Sequence, residues 1–327
     1  MKRNLKRWNI VLIIAILILV LVLVYSGLRI LESTVFNKGT TTQGPPSKTI
    51  HRNGVDYYPK QDITVVMVAG VDTEGPMVSS GSYNNSAEAD MIALLIFDES
   101  TQSMNIISLN RDTMTDVQVL GIGGKKAGTV HAQLALAHAY GSGLRDSSEN
   151  LRDTVSMLMY NAQIDYFVTI NMEAINLLND AVGGVTVNVT DDFSAIDPSI
   201  PMGQVTLKGQ QATNFLRSRY GVGDQMNLTR MQRHQEYIRG FLTALQTKYE
   251  AEPSFVLRAF EQINPYMVTN CTTSSISGLL DRYGDFELGE MLTLKGENNA
   301  GNEYMEYHLD MDALDELILK YLYSPKK

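Results

Sequence analysis

The sequence predicts an α/β fold, an α/β/α-like sandwich in which a central mixed β-sheet is flanked by helices, together with one N-terminal transmembrane helix. Short apolar runs of strand length alternate with segments of helical periodicity, and no internal repeat interrupts them. One long uncharged apolar segment lies near the N-terminus. These observations favour a membrane-tethered globular domain.

The charge balance restricts the class of partner. The chain has 327 residues, with 27 Lys and Arg against 36 Asp and Glu. Four of the basic residues lie within residues 1–7, which leaves 23 basic against 36 acidic residues in the remainder. Such an acidic body argues against non-specific binding to duplex nucleic acid. The single cysteine, Cys271, excludes an intramolecular disulfide and a metal site made of several cysteines.

The N-terminal segment predicts the topology. Residues 1–7 form a basic cytoplasmic N-terminus, and residues 8–28 are apolar for long enough to cross a hydrocarbon core of about 30 Å. A cleaved signal peptide is the alternative, but the apolar run is longer than a usual signal core and no small-x-small cleavage site follows it. We therefore expect a single-pass cell-membrane protein whose C-terminal domain is extracytoplasmic.

The remaining chain is predicted to consist of a stalk, one domain and a short tail. Residues 29–59 are a mostly polar stalk, in which Asn53-Gly54 indicates a short hairpin. Residues 60–323 contain no composition break and are expected to form one domain, followed by a C-terminal tail at 324–327.

The elements of this domain follow from apolar periodicity. The predicted strands are Ile63–Gly70, Met91–Phe97, Met104–Leu109, Tyr166–Ile170, Val185–Val189 and the edge strand Met305–His308. The predicted helices are His131–Tyr140, Asn150–Tyr160, a helix from Met172 to near Gly183, Gln210–Leu216, Thr229–Lys248, Ser275–Leu280 and Met311–Tyr323.

Ionisable residues follow or precede three of the strands. Asp98–Ser103 is short enough to form a hairpin, and a turn near Ser100 places Asp90 opposite Arg111. Asp72 joins them if the strand at 63–70 runs antiparallel beside 91–97. A structural ion pair or a turn-forming aspartate is the simpler interpretation of each residue alone. Their convergence indicates a site.

A second group of charges consists of arginines between residues 216 and 239. Arg217 and Arg219 share a face if the chain is extended there, whereas Arg230 and Arg233 share one face of a helix. The planar guanidinium binds phosphate oxygens bidentately, so a compact diphosphate is the expected ligand. A solvated helix face and a nucleic-acid site are the alternatives. Asp72 and Asp90 suit a divalent cation that would help to neutralise the same anion.

Taken in order, these segments resemble the LytR–CpsA–Psr family of membrane-anchored envelope proteins. The segments that carry the resemblance are VMVAGVD (66–72), ADMIALLIFD (89–98), ISLNRDTM (107–114), LALAHAYGSG (134–143), IDYFVTINMEAINLLNDAVGGVTVNV (164–189), LKGQQATNFLRSR (207–219) and NLTRMQRHQ (227–235). The resemblance covers most of residues 60–245.

The resemblance implies an Mg²⁺-dependent (or Mn²⁺-dependent) phosphotransferase of a Gram-positive-type envelope. It would move a glycopolymer from a polyprenyl-diphosphate lipid carrier to peptidoglycan. By this resemblance the metal ligands are Asp72 and Asp90, which with Arg111 form the catalytic set. The implied diphosphate-binding residues are Arg111, Arg217, Arg219, Arg230 and Arg233. Asp72 is also a candidate general base, and the sequence does not separate the two roles.

The chain departs from the family pattern at several positions. They are Glu88, Gln133, Ala135, Asn227 and His234. Asp224 is a candidate replacement for the carboxylate missing at Asn227, and Asp112 stands beside Arg111. These departures keep a second hypothesis open: a non-catalytic polyprenyl-phosphate or glycan-binding regulatory protein of the envelope, resembling a transcription attenuator.

A prenyl chain would need an apolar cavity. The candidate lining residues are Leu134, Leu136, Ile175, Leu178 and Val182, although such stripes are more often ordinary core packing.

Overall fold

The computed structural model describes residues 49–326, apart from residues 84, 86, 219–220, 224–226, 253–254, 273–274, 276–277, 280–281, 284–285 and 302–303. The predicted transmembrane helix at 8–28 therefore lies outside the described residues, as do most of the stalk, Arg219 and Asp224. Within the part that is described, no helix has the length and apolar character needed to cross a membrane.

The elements follow one another as an interleaved α/β chain. The strands are β1 Ile50–Arg52, β2 Val55–Pro59, β3 Ile63–Val71, β4 Ala89–Asp98, β5 Ser103–Leu109, β6 Met114–Leu120, β7 Lys126–Gln133, β8 Tyr166–Asn171, β9 Val185–Val189, β10 Gly203–Leu207, β11 Met267–Thr269, β12 Glu287–Thr293, β13 Gly296–Ala300, β14 Met305–Leu309 and β15 Tyr323–Pro325. The helices are α1 Leu136–Ala139, α2 Arg145–Leu158, α3 Met172–Ala181, α4 Gln210–Arg217, α5 Asn227–Ala251, α6 Phe255–Ile263 and α7 Met311–Tyr321.

A six-stranded mixed sheet forms the centre, in the order β11-β8-β3-β4-β5-β12. The β3–β4 and β4–β5 pairs are antiparallel, whereas β3–β8 and β5–β12 are parallel. The predicted β4–β5 hairpin is thus confirmed, and the antiparallel β3–β4 pair meets the condition for bringing Asp72 to the same edge. The β4–β5 register pairs Ile92 with Leu109, as expected from the short connection between the two strands.

Side chains alternate between two apolar layers, one on each face of the sheet. In β4, Ala93 and Phe97 belong to the layer that contains residues of α3, α4, α5 and α6. Ile92, Leu94 and Ile96 belong to the other layer, with residues of α2 and α7. The period of two along each strand produces this division. The predicted α/β fold, with a mixed sheet flanked by helices, is confirmed.

Residues at the two ends of helix α3 determine where it begins and ends. Asn171 caps its N-terminus by accepting hydrogen bonds from the backbone N–H groups of Glu173 and Ala174. The chain leaves the helix through Gly183 and Gly184, whose φ angles are 87° and 100°. Glycine tolerates this left-handed backbone, so the predicted end of the helix is confirmed.

One predicted helix is wrong. Residues 131–133 belong to β7, and only Leu136–Ala139 of the predicted His131–Tyr140 segment is helical. Strand β7 pairs antiparallel with β6, and its first six residues are exposed. Cross-strand hydrogen bonding therefore determines the conformation of a segment whose composition is compatible with a helix.

The N-terminal hairpin joins the C-terminal strand in a small sheet of order β1-β2-β15. Asn53 and Gly54 have φ angles of 51° and 77°, which suits the predicted two-residue turn. Helix α7 ends at Tyr321, two residues earlier than predicted, and residues 324–325 of the expected tail lie in β15. The predicted helix at 275–280 falls partly outside the described residues.

Candidate functional site

The expected meeting of Asp90 and Arg111 is confirmed. Arg111 donates hydrogen bonds from one terminal nitrogen to Asp90 and from the other to Glu88. Its Nε lies 3.3 Å from Oδ1 of Asp112. The Arg111 side chain is 15% exposed and that of Asp90 is 10% exposed, so the pair is largely removed from water. Charges placed in this way interact more strongly than pairs on the surface.

Asp72 reaches the same edge of the sheet from β3. A register irregularity separates Gly70 from Val71, and Asp72 follows directly after the strand. Its Oδ2 lies 2.8 Å from Nη2 of Arg217, the last residue of α4. The Arg217 side chain is 50% exposed, so it is accessible to a ligand.

Arg230 enters from the first turn of α5 and is buried. Its Nη1 lies 3.8 Å from Oδ2 of Asp90, and its Nη2 donates to the Asp90 carbonyl oxygen at 3.2 Å. Its Nε donates to Oδ1 of Asn227 at 3.0 Å. Arg111 and Arg230 therefore contact the same aspartate, although they are distant in sequence.

Arg233 lies one turn further along α5 and points into different surroundings. It donates to the carbonyl oxygens of Phe215 and Ser218 and to Oδ2 of Asp191, the last at 2.9 Å. Its guanidinium also lies over the Phe193 ring, 5.5 Å from the centroid. The structure thus places Arg233 in contacts that hold α4 and α5 to the loop after β9. It does not line the cavity described next.

An apolar cavity of about 1270 Å³, counted with its open mouth, lies on one face of the sheet. Small and apolar residues of β3, β4 and β5 form its floor, and α3 and α5 form its walls. The floor and walls include Val68, Gly70, Met91, Ala93, Leu95, Met104, Ile106, Ile175, Leu178, Tyr237, Ile238, Phe241 and Leu242. Asp90, Arg217 and Arg230 also line it, so charge is present beside an otherwise apolar space.

The prediction of cavity-lining residues is correct for two of the five candidates. Ile175 and Leu178 line the cavity. Val182 belongs to the apolar layer on the same face but does not line the cavity. The prediction is wrong for Leu134 and Leu136, because they pack in the layer on the opposite face of the sheet. Their segment lies beside β6 and β7 rather than on a long helix.

His234 lines the cavity next to Arg230. Its Nε2 lies 3.0 Å from the Leu216 carbonyl oxygen and donates to it. Burial above all, together with the nearby charge of Arg230, lowers the pKa of His234 to about 3, although the hydrogen bond to Leu216 acts in the opposite direction. The imidazole is therefore neutral at physiological pH and adds no positive charge to the site.

The charges of this carboxylate–arginine cluster are closely balanced. Its members form ion pairs within 4.0 Å in two groups, Arg111 and Arg230 with Glu88, Asp90 and Asp112, and Arg217 with Asp72. Four carboxylates thus face three guanidinium groups. A diphosphate would bring about two further negative charges, so it must displace carboxylates from the arginines or arrive with a cation.

The donor set fits a particular kind of metal site. Among the described residues, no group of three or more His, Cys, Asp or Glu side chains could hold a metal ion. Asp72 and Asp90 nevertheless flank one edge of the sheet, and each retains carboxylate lone pairs beyond its contacts with arginine. Mg²⁺ commonly takes one or two carboxylates and completes its shell with phosphate oxygens and water. The residues therefore fit an ion that arrives with a phosphorylated ligand.

Two features of the site escaped sequence reasoning. Glu88 was treated only as a departure, yet it binds Arg111. The cavity wall formed by α5 was also missed, although Tyr237 and Phe241, and likewise Ile238 and Leu242, are spaced four apart on a predicted helix. That spacing was a usable signal for an apolar helix face. It could not show that a cavity, rather than solid core, lies beneath.

Comparison with known proteins finds relatives that are named as teichoic acid transferases. A polyisoprenyl-teichoic acid–peptidoglycan teichoic acid transferase TagU of Bacillus subtilis is 25% identical over 262 residues, which cover 79% of this chain and 76% of the relative. The TagU of Oceanobacillus iheyensis is 31% identical over 169 residues, but these cover only 50% of this chain and 45% of the relative.

Solved structures share the fold. A protein from Streptococcus agalactiae superposes with a TM-score of 0.65 at 25% identity, covering 80% of this chain and 88% of that one. Bacillus subtilis TagT gives a TM-score of 0.57 at 19% identity, with coverages of 84% and 95%. A TagT bound to LIIa-WTA gives 0.59 at 20% identity, covering 80% and 90%. The family model described as LytR_cpsA_psr matches residues 25–320, and the chain therefore belongs to the LytR–CpsA–Psr family.

Proposed function

We propose that the protein is a membrane-anchored, extracytoplasmic phosphotransferase that moves a glycopolymer from a polyprenyl-diphosphate carrier to peptidoglycan. The observation that carries this proposal is the apolar cavity lined at one side by Arg217, Arg230 and Asp90. A lipid diphosphate has the same two parts, a long apolar chain and a compact anion.

The relatives support the same reaction class. TagU proteins are named as transferases of teichoic acid from a polyisoprenyl carrier to peptidoglycan, and a TagT has been solved with LIIa-WTA. The membrane anchor rests on residues 8–28, which lie outside the described part of the chain. With that anchor in place, the domain would face the compartment in which lipid-linked glycopolymers meet the wall.

The proposed transfer begins with attack by an acceptor hydroxyl on the phosphorus that carries the glycopolymer. A new P–O bond forms to the acceptor, and the P–O bond to the distal phosphate breaks, releasing polyprenyl monophosphate. Arg111, Arg217 and Arg230 would stabilise the negative charge that accumulates on the leaving phosphate. Asp72 is the candidate base for the hydroxyl proton, because it lies at the half-exposed side of the cluster beside Arg217.

Asp72 and Asp90 would hold Mg²⁺ or Mn²⁺. When bound, such an ion supplies electrostatic stabilisation of phosphate oxygens. In the structure the carboxylate oxygens of Asp90 and Asp72 pair with Arg111 and Arg217. If these oxygens bound the ion instead, the two arginines would be available to the diphosphate. Binding of the anion and of the cation should therefore reinforce each other.

The second candidate is a binding or regulatory protein that holds the same lipid without turnover. Glu88 favours it, since this carboxylate occupies a terminal nitrogen of Arg111 and weakens the positive charge offered to phosphate. Asn227 favours it as well, because no carboxylate is present at that position. Both candidates require the cavity and Arg230, so binding alone does not separate them.

A single-turnover assay separates the two candidates. Wild type should transfer glycan from a synthetic polyprenyl-diphosphate donor in the presence of Mg²⁺, and chelation should remove the activity. Asp72→Asn should lower the transfer rate by about a hundredfold or more, because the amide can neither accept the proton nor offer a carboxylate to the ion. Asp116→Asn, on the exposed ribbon of β6, is the matched control and should leave the rate unchanged. Donor binding by wild type without any product would refute the enzyme and leave the binding protein.

A further inference from the structure

Two buried asparagines connect the end of β5 to the first turn of α5. Asn110 is 0% exposed and Asn227 is 2% exposed. Asn227 Nδ2 donates to Asn110 Oδ1 at 2.5 Å, and Asn227 Oδ1 accepts from Nε of Arg230 at 3.0 Å. Asn110 immediately precedes Arg111, so the pair joins the two arginine-bearing segments that contact Asp90.

Obligate donors fix the orientation of both amides. The backbone N–H of Asp112 donates to Asn110 at 2.9 Å, so the atom that it meets must be the carbonyl oxygen. The Nε of Arg230 can only donate, so the Asn227 atom that faces it must likewise be an oxygen. The contact between the two side chains then has one polarity, with Asn227 donating and Asn110 accepting.

This polarity requires an amide at position 227. An ionised aspartate would accept the Arg230 hydrogen bond but would set a second oxygen against Asn110 Oδ1, where no hydrogen is available. Turning the Asn110 amide over would only transfer the conflict to the backbone N–H of Asp112. An unpaired or opposed polar group is costly when it is buried, so the hydrogen-bonded arrangement would not survive such a replacement.

We infer that Asn110 and Asn227 are positioning residues, and that their amide pair holds Arg230 against Asp90 at the polar side of the cavity. The inference rests on the function proposed above and adds to it the residues that place one ligand-binding arginine. Asn227 is therefore more than a lost carboxylate. It links α5 to the segment that carries Arg111, so that the two guanidinium groups keep a fixed separation.

The test compares two lipids that differ only in the head group. Binding of a polyprenyl diphosphate and of the matching polyprenol is measured on wild type and on Asn227→Asp. We expect the variant to lose about tenfold or more in diphosphate affinity, because a displaced Arg230 forfeits hydrogen bonds to a charged group. Affinity for the uncharged polyprenol should stay within about twofold, since the apolar cavity is untouched. If Asn227 had only a structural role, its replacement would reduce the affinities for both lipids together.

Asn150→Asp is the matched control. Asn150 is also a buried amide, but it donates to the carbonyl oxygens of Gln118 and Ala137 on the opposite face of the sheet. Its replacement should lower the melting temperature without changing the ratio of the two lipid affinities. If Asn227→Asp does not fold, Asn227→Ser retains one donor and should show a smaller loss of diphosphate affinity.

The outcomes separate this inference from the proposed function. Failure of wild type to prefer the diphosphate over the polyprenol would overturn the proposed function and the inference with it. A clear preference in wild type that Asn227→Asp keeps unchanged would overturn the inference alone. The same conclusion follows if Asn227→Ser retains the full wild-type preference.

Discussion

On one face of the central sheet, Leu94 and Ile96 of β4 are packed in a closed layer with residues of α2 and α7. On the other face, Ala93 and Leu95 of the same strand border the cavity. Both faces obey the same alternation of side chains, so the pattern alone does not distinguish them. The difference is one of volume, because Gly70 and Ala93 form part of the open floor whereas Met67 and Leu94 fill the closed face.

The two faces also use their buried polar residues differently. On the closed face, Arg152 pairs with Asp153, its neighbour in sequence, and lies over the Phe167 ring. On the cavity face, Arg230 contacts Asp90, which comes from a different element. Short-range pairing serves the local packing of a helix. The Arg230–Asp90 contact lies beside the cavity, where a ligand can reach both side chains.

Filling the cavity is expected to have the largest effect on lipid binding. Ala93→Phe should displace roughly four methylene groups of a bound chain at about 0.8 kcal/mol each, which corresponds to a loss of about a hundredfold in affinity. Leu94→Ala, its neighbour on the closed face, should instead cost about 2–5 kcal/mol of unfolding free energy. Lipid titration and denaturant unfolding of both variants measure the two effects. Equal affinity losses in both variants would erase the functional difference between the faces.

Replacing Arg230 or Arg152 by methionine should have a smaller effect that also differs between the two faces. Arg230→Met should reduce diphosphate affinity by roughly tenfold to a hundredfold, because it removes hydrogen bonds to a charged ligand. Arg152→Met should lower the unfolding free energy by about 1–3 kcal/mol, because it removes hydrogen bonds to Asp153, which keeps Lys126 as a partner, and affinity per folded molecule should be retained. A normal diphosphate affinity in Arg230→Met would contradict the assignment of Arg230 to the ligand.

The histidines provide the finest comparison. Burial lowers the pKa of both His234, to about 3, and His138. In the unfolded chain His234 binds a proton below a pH of about 6.5, whereas in the folded protein it does so only near pH 3. This residue therefore makes the free energy of unfolding fall as the pH decreases from about 6.5 to 3. His234→Gln and His138→Gln should each flatten the acid side of the stability curve.

Only His234 should respond to the ligand. A diphosphate near Arg230 would favour the protonated imidazole, so the melting-temperature shift caused by the lipid should grow as the pH falls towards 4. His234→Gln should abolish this growth, whereas His138→Gln should keep it. A pH-independent shift in wild type would indicate that the anion binds away from His234.

Much of the sheet was predictable because its determinants are local. The short Asp98–Ser103 connection and the period of two predict that Asp90 lies opposite Arg111, and the β4–β5 register agrees. Gly183, just after α3, marked the end of that helix in the same local way. The segment at 131–140 was misassigned because its conformation depends on pairing with β6, a contact that helical periodicity does not report.

The sequence by itself determined the β4–β5 hairpin and the meeting of Asp90 with Arg111, since a short connection and strand periodicity leave few alternatives. Only the tertiary structure decided that Arg230 lines the cavity while Arg233 does not, although both were placed on one helix face. The rotation of α5 against the sheet sets that choice. Packing between segments more than a hundred residues apart also decided where apolar side chains enclose space and where they fill it.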